Sequence, residues 1–193
     1  MFTEDYLMRI ISQAMAVLMT AIGLRKAGKY SEARQAINQA IEQLTGLPAN
    51  LIEQMDDSSL LSMLTTQGQL DIGRLAILAD LFQEGGEILP KLGQSAEGSF
   101  ATARALRFNL EVVLADDSQL SAENIGKIEI LYQRLQERDL PVETQLALSD
   151  YYQRLLEKDD QMLAAAGTSR KQISEVLAKV QNQLGSSQNR IGD

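Results

Sequence analysis

Two apolar stripes on either side of a short polar turn, between Val17 and Pro48, constrain the fold more than any other feature of the sequence. After the turn, apolar side chains recur at the three-, four- and seven-residue spacings that mark one buried face of a helix. These side chains are Ala33, Ile37, Ala40, Ile41 and Leu44. We therefore expect two antiparallel helices in contact, with the small side chain of Ala33 allowing the two axes to come close.

The turn between these helices runs from Gly28 to Tyr30. Gly28 follows two basic residues, Arg25 and Lys26, at the point where a helix end favours a left-handed backbone that glycine adopts without strain. Cations at this point also oppose the negative end of the helix dipole. We therefore expect a left-handed Gly28 and a second helix that begins just after Tyr30.

This stretch resembles the tetratricopeptide repeat, a helix pair with set positions for small, large and aromatic side chains around its turn. With the turn of the repeat placed at Gly28, the motif positions become Val17, Thr20, Ala21, Leu24, Ala33, Ile37 and Ala40. A second turn at Gly93 gives the motif positions Phe82, Gly86, Leu89, Gly98 and Ala105. The opening residues EDYLMRII, with the repeat behind them, also resemble a family of uncharacterised bacterial tetratricopeptide-like proteins, which implies no known activity.

The resemblance implies an all-α fold in which antiparallel helix pairs stack as a short right-handed solenoid. We expect this helical domain over residues 1–166, a C-terminal amphipathic helix over 167–184 and a flexible tail over 185–193. The concave side of such a solenoid takes up an extended peptide or a partner helix. Some tetratricopeptide domains hold a C-terminal carboxylate with a lysine and an asparagine. The matching positions here are Leu18 and Ile22, so we do not expect that class of ligand.

The first predicted helix, over about residues 3–27, has an apolar arc wider than the ~100° stripe that covers one core. Another copy of the chain, a partner helix or a fold-back of later helices would have to cover the excess. Met8, Met15 and Met19 lie on this helix and fit either an adaptable binding surface or ordinary core packing. The apolar segment 14–24 is shorter than a membrane span of ~20 residues and follows acidic residues, so we expect no membrane insertion.

The charge balance excludes several functional classes. With 18 basic and 26 acidic residues, the net charge is −8, whereas binding to nucleic acid or to anionic membranes requires a basic surface.

The absence of cysteine and histidine removes thiol catalysis, the commonest general base and the commonest metal ligands. No phosphate-binding loop or nucleophile motif is present. We therefore expect no metal and no cofactor, and a cytoplasmic protein.

Three pairs of adjacent acids have the residue types that bind a hard cation or exchange protons. They begin at Asp56, Asp116 and Asp159. Each pair lies near a predicted helix boundary, where a carboxylate caps the free backbone N–H groups. We therefore interpret them as helix caps and solubilising charges.

The surface that we expect to meet a partner lies near the N-terminus, where Asp5, Tyr6 and Arg9 project from the polar side of the first helix. An exposed ion pair between Asp5 and Arg9 is the simpler interpretation of their four-residue spacing. Taken together, the sequence predicts a non-catalytic protein-interaction module of unknown specific role. The alternative is a self-associating homodimer that buries the first helix, and an enzyme on a helical scaffold is a third possibility.

Overall fold

The computed structural model describes the backbone of residues 2–191 and the side-chain surroundings of residues 5–185. Its regular structure is helical except for two-residue strands β1 (Thr65–Thr66) and β2 (Gln69–Leu70), which pair antiparallel. The predicted all-α class is therefore confirmed. The α-helices are α1 (Phe2–Lys26), α2 (Tyr30–Thr45), α3 (Ala49–Gln54), α4 (Asp57–Met63), α5 (Ile72–Ile88), α6 (Ser95–Ala115), α7 (Ala122–Leu135), α8 (Val142–Leu156), α9 (Asp160–Ala165) and α10 (Arg170–Ile191). Two short 3₁₀ helices occupy Leu89–Leu92 and Asp117–Gln119.

The chain divides into two compact units, residues 1–108 and residues 109–193. The first unit contains α1 to α5 and the N-terminal part of α6. The second contains the remainder of α6 and α7 to α10. The domain boundary that the sequence suggested at residue 166 lies inside the second unit.

In the first unit, α1 and α2 form a helical hairpin, and both helices pack against α5. Gly28 ends α1 with a φ of 75°. The N–H groups of Gly28 and Lys29 donate to the carbonyls of Arg25 and Leu24 at 3.0 and 2.9 Å. These bonds satisfy carbonyls that a helix end otherwise leaves without partners. The five apolar positions that the sequence placed on one face of α2 are all buried.

Short capped elements connect α2 to α5. Asp56 begins α4, and its carboxylate accepts from the N–H of Ser59 at 2.8 Å. Asp71 begins α5 in the same way and accepts from the N–H of Arg74 at 3.0 Å. Each carboxylate satisfies a free donor of the first helical turn, which explains why the helices begin at these residues.

The helices α5 and α6 approach closely through two glycines. A Cβ atom on Gly98 would lie 2.7 Å from the Cδ atom of Pro90 and 3.3 Å from the carbonyl of Gly86. A Cβ atom on Gly86 would collide with the hydroxyl of Thr102 and lie 3.2 Å from the carbonyl of Gly98. A larger residue at either position would push the helices apart, so the glycines set the spacing between α5 and α6.

In the second unit, α8 packs along α10, and α7 contacts α9. Three buried tyrosines form an edge-to-face cluster between α7 and α8. The ring centres of Tyr132 and Tyr152 are 6.1 Å apart, and those of Tyr151 and Tyr152 are 4.9 Å apart. Such pairs add to the stability that burial of the rings supplies.

The last helix, α10, extends to Ile191, whereas the sequence suggested a helix end at residue 184. The hydrogen-bonded ladder continues through Gly185 because a growing helix needs only one more backbone bond for each residue added. The side chains of residues 186–191 and the last two residues of the predicted tail, 192 and 193, lie outside the described residues.

Candidate functional site

The first unit contains a cavity of about 400 Å³ between α2, α5 and the N-terminal part of α6. Its floor is apolar, with Ile37 and Ile41 contributed by α2, and Leu81 and Phe82 by α5. All four side chains are buried. The volume falls in the range of about 300 to 1,000 Å³ that is typical of ligand pockets, near its lower end. The cavity therefore suits one apolar group of moderate size.

One side of the cavity mouth is an ion pair between α2 and α3. Nη2 of Arg34 donates to Oε1 of Glu53, and the two side chains are 18% and 34% exposed. The other side is formed by Gln94, Glu97 and Phe100 at the start of α6. The mouth therefore presents polar groups around an apolar interior, an arrangement that is common in binding sites.

Phe100 is unusual because it is aromatic and yet 55% exposed. Its ring covers one face of the Arg104 guanidinium, whose central carbon lies 4.7 Å from the ring centre. The ring of Phe82 also lies against this guanidinium, with its centre 5.1 Å from the same carbon. Arginine is well suited to this position because its planar group stacks on aromatic rings. The stack holds Phe100 at the mouth with part of its ring open to solvent.

The same guanidinium anchors the segment between α3 and α4. Nε of Arg104 donates to the Asp57 carboxylate at 2.7 Å, Nη1 donates to the carbonyl of Ile52 at 3.0 Å, and Nη2 donates to the carbonyl of Met55. The Arg104 side chain is only 1% exposed. A buried cation requires such partners, because leaving it unpaired costs several kcal/mol. We therefore infer that Arg104 supports the structure around the cavity, since most of its N–H donors already have acceptors within the protein.

Of the residues around this cavity, Ile37, Ile41 and Phe82 were predicted as helix-packing positions, whereas Arg34, Glu53, Phe100 and Arg104 were not predicted. Arg104 had one recognisable signal, because it lies four residues after Phe100 and four before Phe108, on the buried face of the predicted helix. A charge at that spacing indicates a buried and paired group. No comparable signal marks Arg34 or Glu53, because their partnership depends on how α2 and α3 pack.

The predicted partner-binding residues lie on α1, outside this cavity. Met15 and Met19 are 49% and 62% exposed, and Tyr6 is 55% exposed. The guanidinium of Arg9 lies over the Tyr6 ring, 5.4 Å from its centre.

The C-terminal end of α1 is fixed to α5 by a second buried charge pair. Arg25 donates from Nε to the carboxylate of Glu84, which is only 6% exposed as a residue. The hydrogen bond with Glu84 raises the pKa of Arg25, so the guanidinium stays charged. The outward face of α1 is thus held in a defined orientation.

The predicted turn residues lie at the turn within each helix pair, between α1 and α2 and between α5 and α6. Tyr30 is the first residue of α2, and Ala33 is fully buried one turn later. Gly93 ends the 3₁₀ helix after α5 with a φ of 81°. Its N–H and that of Gln94 donate to carbonyls three and five residues earlier, as at Gly28.

In each of the three acid pairs, the two carboxylates have different structural partners. The first members, Asp56, Asp116 and Asp159, accept from backbone N–H groups at the start of helical turns. The second members each pair with an arginine, namely Asp57 with Arg104, Asp117 with Arg154 and Asp160 with Arg170. Within the described residues, no group of three or more acids is placed to hold a metal ion.

Within the described part of the chain, one helical stretch, Asp5–Lys26, is long and apolar enough to cross a membrane. The criterion concerns length and composition alone, and the core helix of a soluble protein or a signal sequence also meets it. Only 17% of the residues in its most apolar window are buried. The exposed apolar face of α1 is therefore a second surface of interest beside the cavity.

The chain belongs to a family of unknown function, DUF6483, whose model matches residues 1–185. The prediction of an uncharacterised family is confirmed at this level. The comparisons found no match among curated proteins and none among solved structures. Family membership therefore assigns no activity, and the functional argument depends on the geometry of the cavity and of α1.

Proposed function

We propose that the protein is a non-catalytic protein-interaction module whose first unit receives an apolar side chain of a partner peptide. The observation that carries the proposal is the cavity of about 400 Å³ beside the exposed ring of Phe100. An apolar anchor in that cavity would bury its surface against Ile37, Ile41 and Phe82, and burial of such groups drives most association.

The polar mouth favours a peptide over a purely apolar ligand. Gln94 and Glu97 are exposed and carry groups that exchange hydrogen bonds with a peptide backbone on either side of the anchor. The partly exposed Arg34–Glu53 pair lines the same cavity. A ligand with polar groups next to one apolar side chain therefore satisfies both parts of the site.

The proposal extends to the arrangement of the helices, which we infer to be tetratricopeptide-like. The turns at Gly28 and Gly93 have the same left-handed glycine and the same pair of backbone hydrogen bonds, a helix ending that Gly167 also shows. The second helix pair also has small residues at Gly86 and Gly98, where the sequence motif calls for close approach. These similarities support a repeated helix pair whose surface binds a peptide.

The test begins with selection of binding peptides from a displayed library of short random sequences against the full chain. The affinity of the selected peptides is then measured for Ala96→Trp by isothermal titration calorimetry. Ala96 lines the cavity but is exposed, so a tryptophan there blocks the mouth without entering the core. We expect peptides with a common apolar residue and an affinity about tenfold or more weaker for the variant, or about 1.4 kcal/mol.

The matched control is Ala165→Trp, which adds the same side chain at an exposed position of α9 that does not line the cavity. Its affinity should equal that of the parent. Failure to enrich any peptide, or equal affinity for both tryptophan variants, would refute peptide binding in this cavity.

A second candidate function, self-association through α1, is favoured by a separate observation. Met8, Met15 and Met19 are 62%, 49% and 62% exposed and lie on one stripe of the helix. Exposed Asp5 lies near one end of the helix and exposed Lys26 at the other. In an antiparallel pair of α1 helices related by a two-fold axis, Asp5 of each copy would lie near Lys26 of the other, and this attraction would favour the antiparallel orientation.

This second candidate predicts that Met15→Glu and Met19→Glu each lower the mass measured by light scattering, while circular dichroism shows intact helices. Gln13→Glu adds the same charge at an exposed position away from the stripe and should keep the parent mass. A parent that is monomeric at every concentration, or folded variants with the parent mass, would exclude α1 as the interface. Flotation of the parent with lipid vesicles would instead assign the stripe to a membrane surface.

A further inference from the structure

The second unit has a cavity of its own, with a volume of about 360 Å³. Its walls come from α7, from Tyr152 of α8, from residues 166–168 between α9 and α10, and from the first turns of α10. Unlike the cavity of the first unit, it is lined mainly by polar groups. The size is sufficient for a small molecule or for one long side chain.

Glu129 carries the main charge of this cavity. Its two carboxylate oxygens accept hydrogen bonds from the hydroxyls of Tyr151 and Tyr152, at 3.3 and 3.2 Å. Burial raises the pKa of Glu129, because water is removed from the charged form and the two hydrogen bonds compensate only in part. Burial and the two tyrosine hydroxyls account for this shift, and no cationic side chain of the described residues contributes to it.

Neither Tyr151 nor Tyr152 brings a positive charge to the Glu129 carboxylate, and neither hydroxyl loses its proton to become an anion. Burial, followed by the nearby charge of Glu129, raises the pKa of both Tyr151 and Tyr152. Their hydroxyls therefore remain protonated donors near neutral pH. The carboxylate is held in place by two neutral donors, which add no positive charge.

The remaining lining completes a site for a cation. Glu175 adds a second carboxylate, while Gln133 and Gln172 add amides, and the described residues of the lining include no lysine or arginine. The Tyr132 ring lines the same space, and a ring face attracts cations. An anion would be repelled here, and two carboxylates without a third ligand make a weak site for a divalent metal.

We propose that the second unit binds a primary alkylammonium group in this cavity, with the ammonium donating to the carboxylate of Glu129 beside the two tyrosine hydroxyls. The alkyl stem would lie against the apolar surface of Ile130 and Val176, which also line the cavity. A free aliphatic amine and a lysine side chain of a partner peptide present the same chemistry. The proposal is independent of peptide binding in the first unit.

The test titrates the full chain with three probes by isothermal titration calorimetry. They are 1,5-diaminopentane, an acetylated peptide with one lysine, and the same peptide with acetyllysine, which lacks the charge. We expect at least one charged probe to bind and the acetyllysine peptide not to bind. Binding of the diamine alone indicates a free amine as the ligand, and binding of the lysine peptide alone indicates a protein partner.

Two variants locate the binding. Glu129→Gln should weaken binding of the charged probe about tenfold or more, and Glu175→Gln, at an exposed position that tolerates change, should weaken it by a smaller factor. Glu123→Gln, an exposed acid of α7 outside the lining, should leave the affinity unchanged. The proposal is overturned if no charged probe binds at millimolar concentration, or if both cavity variants retain the parent affinity. It is equally overturned if calcium binds with the same dependence on Glu129.

Discussion

Replacement of Arg104 by methionine tests whether this side chain supports the cavity of the first unit. Methionine has a similar length and remains compatible with the rings of Phe82 and Phe100. It removes the charge and every hydrogen bond of the guanidinium. The carboxylate of Asp57 then loses its partner, and the carbonyl of Ile52, together with that of Met55, loses a donor.

The size of the effect follows from burial. Removing one partner of a buried charge pair costs about 3 to 5 kcal/mol, because uncompensated polar groups remain behind. The Asp57 side chain is 30% exposed, so water relieves part of its loss. We therefore expect the lower end of this range, about 3 kcal/mol, for Arg104→Met. Arg104→Lys should cost about 2 kcal/mol, because an ammonium retains the charge but cannot reproduce the planar fork.

The free energies of unfolding are measured by urea denaturation followed by circular dichroism. Hydrogen exchange of peptides from residues 49–63 reports whether the loss is centred on α3 and α4. Asp57→Asn serves as the companion variant and should cost about 2 to 3 kcal/mol, because Arg104 keeps its carbonyl acceptors but loses the negative charge opposite its buried guanidinium. An Arg104→Met variant within 1 kcal/mol of the parent, with unchanged exchange over 49–63, would refute the supporting role.

Two further predictions concern other parts of the chain. Gly98→Ala should destabilise the protein by about 1 to 2 kcal/mol, because its Cβ would lie 2.7 Å from the Pro90 ring. Gly23→Ala should stabilise the protein by about 0.5 to 1 kcal/mol, because a Cβ at this helical position would meet no other atom within 4 Å. Urea midpoints measure both, and equal signs would contradict the close approach of α5 and α6. Burial raises the pKa of Glu129, so the folded state binds a proton at this carboxyl more tightly than the unfolded state does. The stability that this proton contributes is complete below the unfolded pKa of about 4.3. It is lost as the pH rises through the higher pKa of the folded state. The free energy of unfolding of Glu129→Gln relative to the parent should therefore increase between about pH 4 and neutral pH, and a difference independent of pH would contradict the burial of this carboxylate.

The sequence predicted well those features that depend on neighbouring residues. The buried face of α2, the capping carboxylate of Asp56 and the left-handed Gly28 each follow from a few neighbouring side chains. Helical period and capping act within one or two turns, so a single chain contains the information. The all-α class follows from the same local signals.

The candidate site was not predictable in the same way, because its parts are far apart in the sequence. Arg104 meets Asp57 across 47 residues, and Arg34 meets Glu53 across 19. The acid pairs illustrate both cases, since the capping member of each pair acts locally and the second member pairs with a more distant arginine. A carboxylate in a sequence has many possible cationic partners, and only the packing of helices selects one.

The most direct test of peptide binding in the first unit is nuclear magnetic resonance of the ¹⁵N-labelled chain, titrated with a peptide selected by display. We predict that the largest changes in amide chemical shift fall at residues 94–101 of the cavity mouth and at residues 34–41 of α2, which contribute to its walls. Changes confined to α1 around Met8, Met15 and Met19, or confined to the second unit, would contradict the assignment of the cavity as the peptide site.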